Sequence, residues 1–309
     1  MIRERAVNQL ASAYRTGAAH PLAYLEHAQE HFLKWMDDGE LFTEEYGTAF
    51  KGGTAIRKFH LGHTGRFSTD LDFAVKDQAV AKHVIDALKR GLEHDGVRFA
   101  LNGKPSEDPG ETHARWTATT SGLGTSIVAK LDFSHHGVWL PYQKKARAAI
   151  QTIDKKTLGF EPVCPPLVDL RENLSEKLAR FRRLPLARDV YDLVNLGAVV
   201  RGDLPLIREL LLLKVWGDVV YTSRGTRPFT GRDEYCSVTA AQLGGKQEVG
   251  ALARPVNDWD RELKVLCDTY GAAIGEPSEA RELRLAKCAA ADKWWYEKEL
   301  EALKARHAR

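Results

Sequence analysis

The 309-residue chain lacks the features that mark a disulfide-rich, zinc-bound or membrane-spanning protein. Its four cysteines form no C-x-x-C pair, which excludes a zinc ribbon or a disulfide scaffold and favours free thiols in a reducing compartment. No run approaches the roughly 18 apolar residues that a membrane span needs. The charged N-terminal stretch also lacks the apolar core of a signal peptide. We therefore expect a cytoplasmic protein.

A strong charge imbalance is missing too, since the net charge is only +3 and the pI is near 8.6. Such a small excess favours a nucleic-acid partner only weakly, so the local distribution of charge matters more than the total. Internal repeats and low-complexity segments are also absent. A hydrophobic content of 43% is ordinary for a globular protein, and the length suggests two domains.

Hydrophobic periodicity divides the chain into a mixed N-terminal part and a mainly helical C-terminal part. We place the boundary so that residues 1–160 form the first domain and 161–309 the second, an α+β organisation. The pattern of the first part predicts two N-terminal helices, a helix over 77–94, and a long turn-rich loop over 102–113. Strands are predicted at 71–75, 97–101, 114–119 and 125–134, and helices at 167–183, 187–200, 204–217 and from 258 onwards.

The stretch 50-FKGGTAIRKFHLGHTGRFSTDLDFAV-75 combines a glycine pair with a D-x-D motif on a predicted strand. Because side chains alternate along a strand, Asp70 and Asp72 point the same way, while Leu71 points towards the core. Two neighbouring carboxylates repel each other unless a hard cation such as Mg²⁺ lies between them. Gly52 and Gly53 let the backbone approach a ligand closely, and Thr54 begins a short helix whose N–H groups suit phosphate.

This layout resembles the polymerase-β-like nucleotidyltransferases, and the resemblance implies an N-terminal domain of that fold with a mixed sheet. It also implies a metal site of Mg²⁺ or Mn²⁺ that binds an NTP, completed by a carboxylate on a neighbouring strand. Asp132, in 127-IVAKLDFSHH-136, is the candidate for that third carboxylate. Lys130 lies on the same face of its strand, so an ion pair between Lys130 and Asp132 is the alternative.

A second motif makes the resemblance more specific. The segments K-G-G-T-A, R-F-S-T-D-L-D-F, E-K-L-A-R and R-D-V-Y-D-L, spread over residues 50–193, are similar to the AbiEii-type nucleotidyltransferase toxins, the group that includes the MenT toxins. The resemblance implies Asp70 and Asp72 as catalytic metal ligands and Lys177 as a catalytic, nucleotide-binding cation. It also implies a later catalytic aspartate, which is Asp192 or Asp189, and we favour Asp192.

Ser68 occupies a position where this family tends to carry Ser or Thr, two residues before the first aspartate. We include Ser68 in the nucleotide-binding set with Gly52, Gly53 and Thr54. Modification of its hydroxyl would place negative charge beside the metal site and should inhibit by repulsion.

Clusters of basic residues suit a nucleic-acid acceptor, because contacts to backbone phosphates dominate nucleic-acid affinity. The alternative for each residue is an ordinary solvated surface charge. The candidates for nucleic-acid binding are Arg180, Arg182, Arg183, Lys144 and Lys145.

The resemblance implies a toxin that transfers NMP from an NTP to the 3′ acceptor end of tRNA, blocks translation and is opposed by an antitoxin encoded nearby. Two alternatives stay open: transfer to a small hydroxylated molecule, and a non-catalytic module that binds RNA or protein. The second alternative predicts loss of the metal ligands, whereas both aspartates and both glycines are present.

Overall fold

The structure is a computed structural model that describes residues 2, 4–12, 19–120, 126–142, 153, 155–221, 227–246 and 256–308. Two compact units make up the chain. One is built mainly from residues 1–138 and 142–168, and the other mainly from 139–141 and 169–309.

The first unit is a mixed sheet with helices. The first strand, Ala49–Lys51, is followed by a short helix, Gly52–Ile56, which continues into a π-helical turn over Arg57–Leu61. Its strands are β1 Ala49–Lys51, β2 Leu71–Ala74, β3 Leu92–His94, β4 Val97–Leu101, β5 Ser106–Asp108, β6 Glu111–Thr120 and β7 Ser126–Ser134. Its helices are α1 Glu4–Ser12, α2 Ala19–Asp38, α3 Gly52–Ile56, α4 Gln78–Arg90 and α5 Lys155–Leu158.

The sheet runs in the order β1-β2-β7-β6-β4-β3, with β5 paired to β6. Strand β2 is antiparallel to β1 and parallel to β7, whereas the pairs β7–β6, β6–β4 and β4–β3 are antiparallel. Alternation along β6 and β7 gives one buried and one open face. The buried face packs in an aromatic core in which Phe32 of α2 contacts Phe99 and Trp116.

Helix α2 also fixes the segment that follows the glycine pair. Glu26 forms a buried ion pair with Arg57 at 3.0 Å, and Glu30 forms one with Lys58 at 2.7 Å. Arg57 Nη1 donates to the carbonyl of Gly65 at 2.6 Å. Because buried charges are costly unless they are paired, these contacts hold the turn after α3 in one position.

The second unit is mainly helical in its described parts. Its central helix α8, Leu204–Tyr221, buries an apolar stretch that includes Leu210, Leu211, Leu213 and Trp216. The helices are α6 Leu170–Phe181, α7 Ala187–Leu196, α8 Leu204–Tyr221, α9 Asp233–Cys236, α10 Trp259–Thr269, α11 Gly271–Ile274, α12 Ala280–Ala286 and α13 Lys293–His307.

The predicted α+β fold class, with its mixed sheet and helical C-terminal part, is confirmed. Two details were wrong. The predicted loop over 102–113 contains β5 and the start of β6, which pair as a hairpin. The helix predicted over 77–94 ends at Arg90, because Gly91 has a φ of +76° and residues 92–94 then pair with β4.

The expectation of four free thiols was wrong for two of them. Cys236 of α9 and Cys267 of α10 are joined by a disulfide, with their Cα atoms 5.9 Å apart. That spacing is typical of a disulfide, and the sequence separation of 31 residues hides it from inspection of the sequence. Cys164 and Cys288 are free.

None of the helices in the described parts of the chain has both the length and the apolar character that a membrane crossing requires.

Candidate active site

Gly52 is the first residue of α3 and lies directly under the carboxylate of Asp72. Its φ is +78°, and a Cβ placed on it would be 2.0 Å from Asp72 Oδ2. Both the backbone conformation and the contact therefore require glycine. The room that we predicted for an approaching phosphate is filled over Gly52 by the protein's own carboxylate.

Gly53 makes room for two further side chains. A Cβ at this position would lie 2.3 Å from Arg66 Nη2 and 2.9 Å from Ser68 Oγ. Arg66 is buried, and its Nη1 donates to the carbonyl of Phe67 at 3.1 Å. The predicted residue Ser68 thus lies against the glycine pair, beside an arginine that the sequence analysis missed.

Thr54 ties α3 to the strand that carries the aspartates, because its hydroxyl donates to the carbonyl of Asp70. Asp70 is the residue before β2, and its Oδ1 accepts a hydrogen bond from Thr69 Oγ1 at 3.0 Å. The predicted residues Thr54 and Asp70 are therefore neighbours in the fold.

Four polar residues form a row across the open face of the sheet. Asp72 of β2 is in register with Lys51 of β1 on one side and with Asp132 of β7 on the other. His113 of β6 is in register with Asp132. Since neighbouring strands lie about 4.8 Å apart, Asp72 and Asp132 stand side by side. We name these four residues the polar row.

Asp132 is held by His113 rather than by Lys130. His113 Nδ1 and Asp132 Oδ1 are 2.8 Å apart, whereas Lys130 has no ion pair among the residues that the structure describes. The other ring nitrogen of His113 lies 3.4 Å from carboxylate oxygens of both Asp108 and Glu111. The sequence analysis missed His113 because it assigned that position to a loop.

Asp108, Glu111 and His113 also offer ligand atoms within 4.8 Å of one another, and no other such group of three occurs in the described part of the chain. They lie on the edge hairpin of β5 and β6, partly exposed to solvent. Acidic groups of this kind are common on protein surfaces, and we assign this one no ion.

In the second unit, Lys177 lies between the two candidate aspartates. Its Nζ is 3.1 Å from Asp189 Oδ1 and 2.9 Å from Asp192 Oδ2. Asp189 and Asp192 share a face of α7 because they are three residues apart on a helix. All three residues are buried, with exposures of 3%, 0% and 1%. An isolated charge here would be unstable, so each charged group depends on its partners in the cluster.

The two aspartates differ in their other partners. Asp189 Oδ2 also accepts from Arg180 Nε at 2.9 Å, so Asp189 is shared by two cations. Asp192 lies near Tyr270, whose hydroxyl donates to the carbonyl of Leu193 at 3.0 Å. Burial, reinforced by the negative charge of Asp192, raises the pKa of Tyr270 well above its usual value.

The predicted nucleic-acid contacts have different environments. Arg180 is partly exposed and pairs with Asp189, and Arg183 pairs with Asp218 at 2.9 Å. Arg182 is buried and pairs with Glu234 at 2.7 Å, so its burial gives it a structural role instead. Lys144 and Lys145 lie outside the described residues.

Comparison with known proteins identifies the family of the chain. The family described as nucleotidyl transferase AbiEii toxin, type IV toxin–antitoxin system, matches residues 39–219. No curated protein sequence matches the chain.

Among solved structures, MenT4, a nucleotidyltransferase toxin from Mycobacterium tuberculosis, is 32% identical with a TM-score of 0.85. The alignment covers 98% of this chain and 99% of MenT4. A putative nucleotidyltransferase from Helicobacter pylori is 15% identical, with 91% and 97% of the two chains covered and a TM-score of 0.45. Taken with the family match, the similarity to MenT4 shows that the chain belongs to the AbiEii family of nucleotidyltransferase toxins of type IV toxin–antitoxin systems.

Proposed function

We propose that the protein transfers a nucleoside monophosphate from an NTP to the 3′ acceptor end of tRNA in the cytoplasm, and so blocks translation. The observation that carries the proposal is the position of Asp72, seated on Gly52 and in register with Asp132. Two carboxylates on adjacent strands repel each other, and this arrangement becomes favourable when they share a cation.

The donor set fits a hard divalent cation. Asp70, Asp72 and Asp132 offer carboxylate oxygens, which Mg²⁺ and Mn²⁺ prefer as ligands. When bound, the metal supplies activation of the attacking hydroxyl and charge stabilisation for the triphosphate and its pyrophosphate leaving group. We infer that His113 orients Asp132 for this role through its hydrogen bond to Oδ1.

The nucleotide-binding residues that we propose are those around the glycine pair, together with Lys177. Gly53 gives Arg66 and Ser68 their positions, and Thr54 fixes Asp70. Lys177 would neutralise negative charge on the triphosphate, and Asp192 would orient its ammonium group through the 2.9 Å contact. Asp189, which is also bound by Arg180, would hold the cluster together.

The family implies an antitoxin as a partner and an NTP as a substrate. We propose that the antitoxin is encoded nearby. A phosphate placed on Ser68 would lie beside Gly53 and Arg66 and should block the nucleotide.

The experiment compares the wild type with Asp72→Asn, which keeps the shape of the side chain and removes its charge. Asp86→Asn, at a partly exposed position of α4 where the carboxylate pairs only with Lys89 among the described residues, is the matched control. Each protein is incubated with Mg²⁺, total tRNA and each labelled NTP in turn, and the RNA is separated on a denaturing gel.

Label on tRNA with the wild type and with Asp86→Asn, but not with Asp72→Asn, is the expected result. If folded wild-type protein without modification at Ser68 labels no RNA, tRNA is not the acceptor. The same reactions with small hydroxylated molecules then test the first alternative. If Asp72→Asn keeps every effect of the wild type in cells, the protein acts by binding alone.

A further inference from the structure

The open face of the sheet carries two basic residues directly opposite each other. Arg115 of β6 and Lys130 of β7 are a registered cross-strand pair, and both are exposed. The next pair along the same face is His113 and Asp132, so the two cations border the polar row. We call Arg115 and Lys130 the cation pair.

This pairing is unfavourable within the protein alone. Like charges directly opposite each other on adjacent strands destabilise a sheet. Among the described residues, neither side chain takes part in an ion pair or hydrogen bond, and the nearby Asp132 is engaged by His113. Arg98, by contrast, is also exposed on this sheet and is bound by Glu93 at 2.9 Å. Arg98 therefore has an anionic partner within the sheet, whereas the cation pair has none among the described residues.

Beyond the cation pair, β6 and β7 carry uncharged side chains on the same face, and Arg98 of β4 with its partner Glu93 borders them beside Thr119. Two further registered pairs follow on the same face, Thr117 with Val128 and Thr119 with Ser126. Val128 is 49% exposed. An extended ligand that lies along these two strands and reaches the polar row would therefore cross the cation pair. Such a path suits a polymer better than a compact triphosphate.

We propose that Arg115 and Lys130 bind a backbone phosphate of the RNA acceptor as it crosses the open face of the sheet towards the polar row. The inference rests on the proposed function for the identity of the acceptor. Arginine and lysine are the cationic side chains that contact nucleic-acid phosphates, and such contacts position a strand without reading its sequence.

The test uses the double variant Arg115→Thr/Lys130→Thr, because threonine is favourable in strands and removes both charges. The matched control is Lys82→Ala/Lys89→Ala, which removes two exposed charges from α4. For each protein, binding of labelled tRNA is measured at several salt concentrations, and binding of NTP without RNA is measured separately. Transfer of label to tRNA by the wild type is recorded in parallel.

The expected result is that the plot of log K for RNA against log salt loses about 0.7 to 1 in slope for each phosphate contact removed. NTP affinity and the melting temperature of the double variant should not fall, and the control should bind RNA like the wild type. An unchanged salt slope for RNA would overturn the proposal. Weaker NTP binding with unchanged RNA binding would also overturn it, because the phosphate would then belong to the nucleotide.

The binding and transfer measurements separate the two claims. If the wild type labels tRNA but the double variant keeps the wild-type salt slope, the proposed function stands and the cation-pair assignment fails. If the slope changes as expected but the wild type labels no tRNA, the RNA contact stands and the proposed reaction fails.

Discussion

At the scale of single residues, the clearest constraint is the contact between Gly52 and Asp72. Replacing Gly52 with alanine adds a Cβ that overlaps the Asp72 carboxylate and forces alanine into a left-handed conformation. We expect Gly52→Ala to lose transfer activity and to cost more than the roughly 1–2 kcal/mol of backbone strain alone. Gly103→Ala is the control, because Gly103 has a φ of +82° with open space around it.

Melting temperatures and transfer rates of both glycine variants check this prediction. Gly103→Ala should show the backbone cost and keep its activity. Equal activity losses in the two variants would show that the contact with Asp72 does not matter.

Replacement of the two aspartates beside Lys177 should have different effects on stability and on activity. Asp189 holds both Arg180 and Lys177, so we expect Asp189→Asn to destabilise the protein by about 3–5 kcal/mol. Asp192→Asn leaves Lys177 with Asp189, so its stability loss should be smaller, about 1–2 kcal/mol, while transfer is lost. Denaturant unfolding and transfer assays measure both effects, with exposed Asp268→Asn as the control. A fully active Asp192→Asn protein would exclude Asp192 from the catalytic set.

At the scale of secondary-structure elements, α2 makes the first unit sensitive to acid. Burial lowers the pKa of His27 to about 4 and that of His31 to about 3. Below the unfolded-state pKa of about 6.5, the unfolded chain binds protons that the folded chain does not. Stability should therefore be complete above about pH 6.5 and fall by about 1.4 kcal/mol per pH unit for each histidine as the pH drops towards these values.

Denaturant unfolding between pH 7.5 and 4.5 measures this slope. Replacing both histidines with glutamine should flatten it, whereas His20→Gln, at an exposed position of the same helix, should leave it unchanged. A slope that stays the same in the double variant would assign the acid sensitivity to other groups.

The disulfide between α9 and α10 closes a loop of 31 residues in the second unit. In the chain-entropy description, a loop of this length contributes about 3–4 kcal/mol. We expect Cys236→Ser/Cys267→Ser, or treatment with a reductant, to lower the melting temperature of the oxidised protein. Cys164→Ser, which removes an exposed free thiol, is the control. Identical melting curves with and without reductant would mean that the bridge does not form in solution.

The sequence predicted what local patterns encode. The alternation around Asp72 predicted the strand and its polar face. The glycines were expected to make room for a ligand, but they make room for the side chains of Asp72, Arg66 and Ser68. Local patterns do not predict which strands pair, because the parallel pairing of β2 with β7 joins segments that are distant in sequence. His113 was missed because the predicted strand began at residue 114, whereas β6 begins at Glu111 and its first residues are recognisable only from their pairing with β5 and β7.

Charge in the helical unit shows the same limit. Arg182 and Arg180 stand two residues apart in one basic run, yet one is buried against Glu234 and the other is partly exposed. The partner of Arg182 is 52 residues away in sequence, so no local pattern distinguishes a buried arginine from a surface one.

At the scale of the whole molecule, removal of divalent cations should stop the reaction without unfolding the chain. We expect EDTA to abolish transfer and Mg²⁺ or Mn²⁺ to restore it. Adding the metal should also raise the melting temperature of the wild type but not of Asp72→Asn, because a ligand stabilises the state that binds it. Full activity in EDTA would contradict the assignment of the three aspartates.

The parallel pairing of β2 with β7 also determines when the proposed metal site can form during synthesis of the chain. Roughly 60 residues separate Asp72 from Asp132, and a ribosome needs about 3–12 s to add them. Until β7 has emerged, Asp132 is absent and the proposed site of three aspartates is incomplete. If the proposed function holds, a chain released before this point should transfer no nucleotide, and activity should also await synthesis of the helices that carry Lys177 and Asp192.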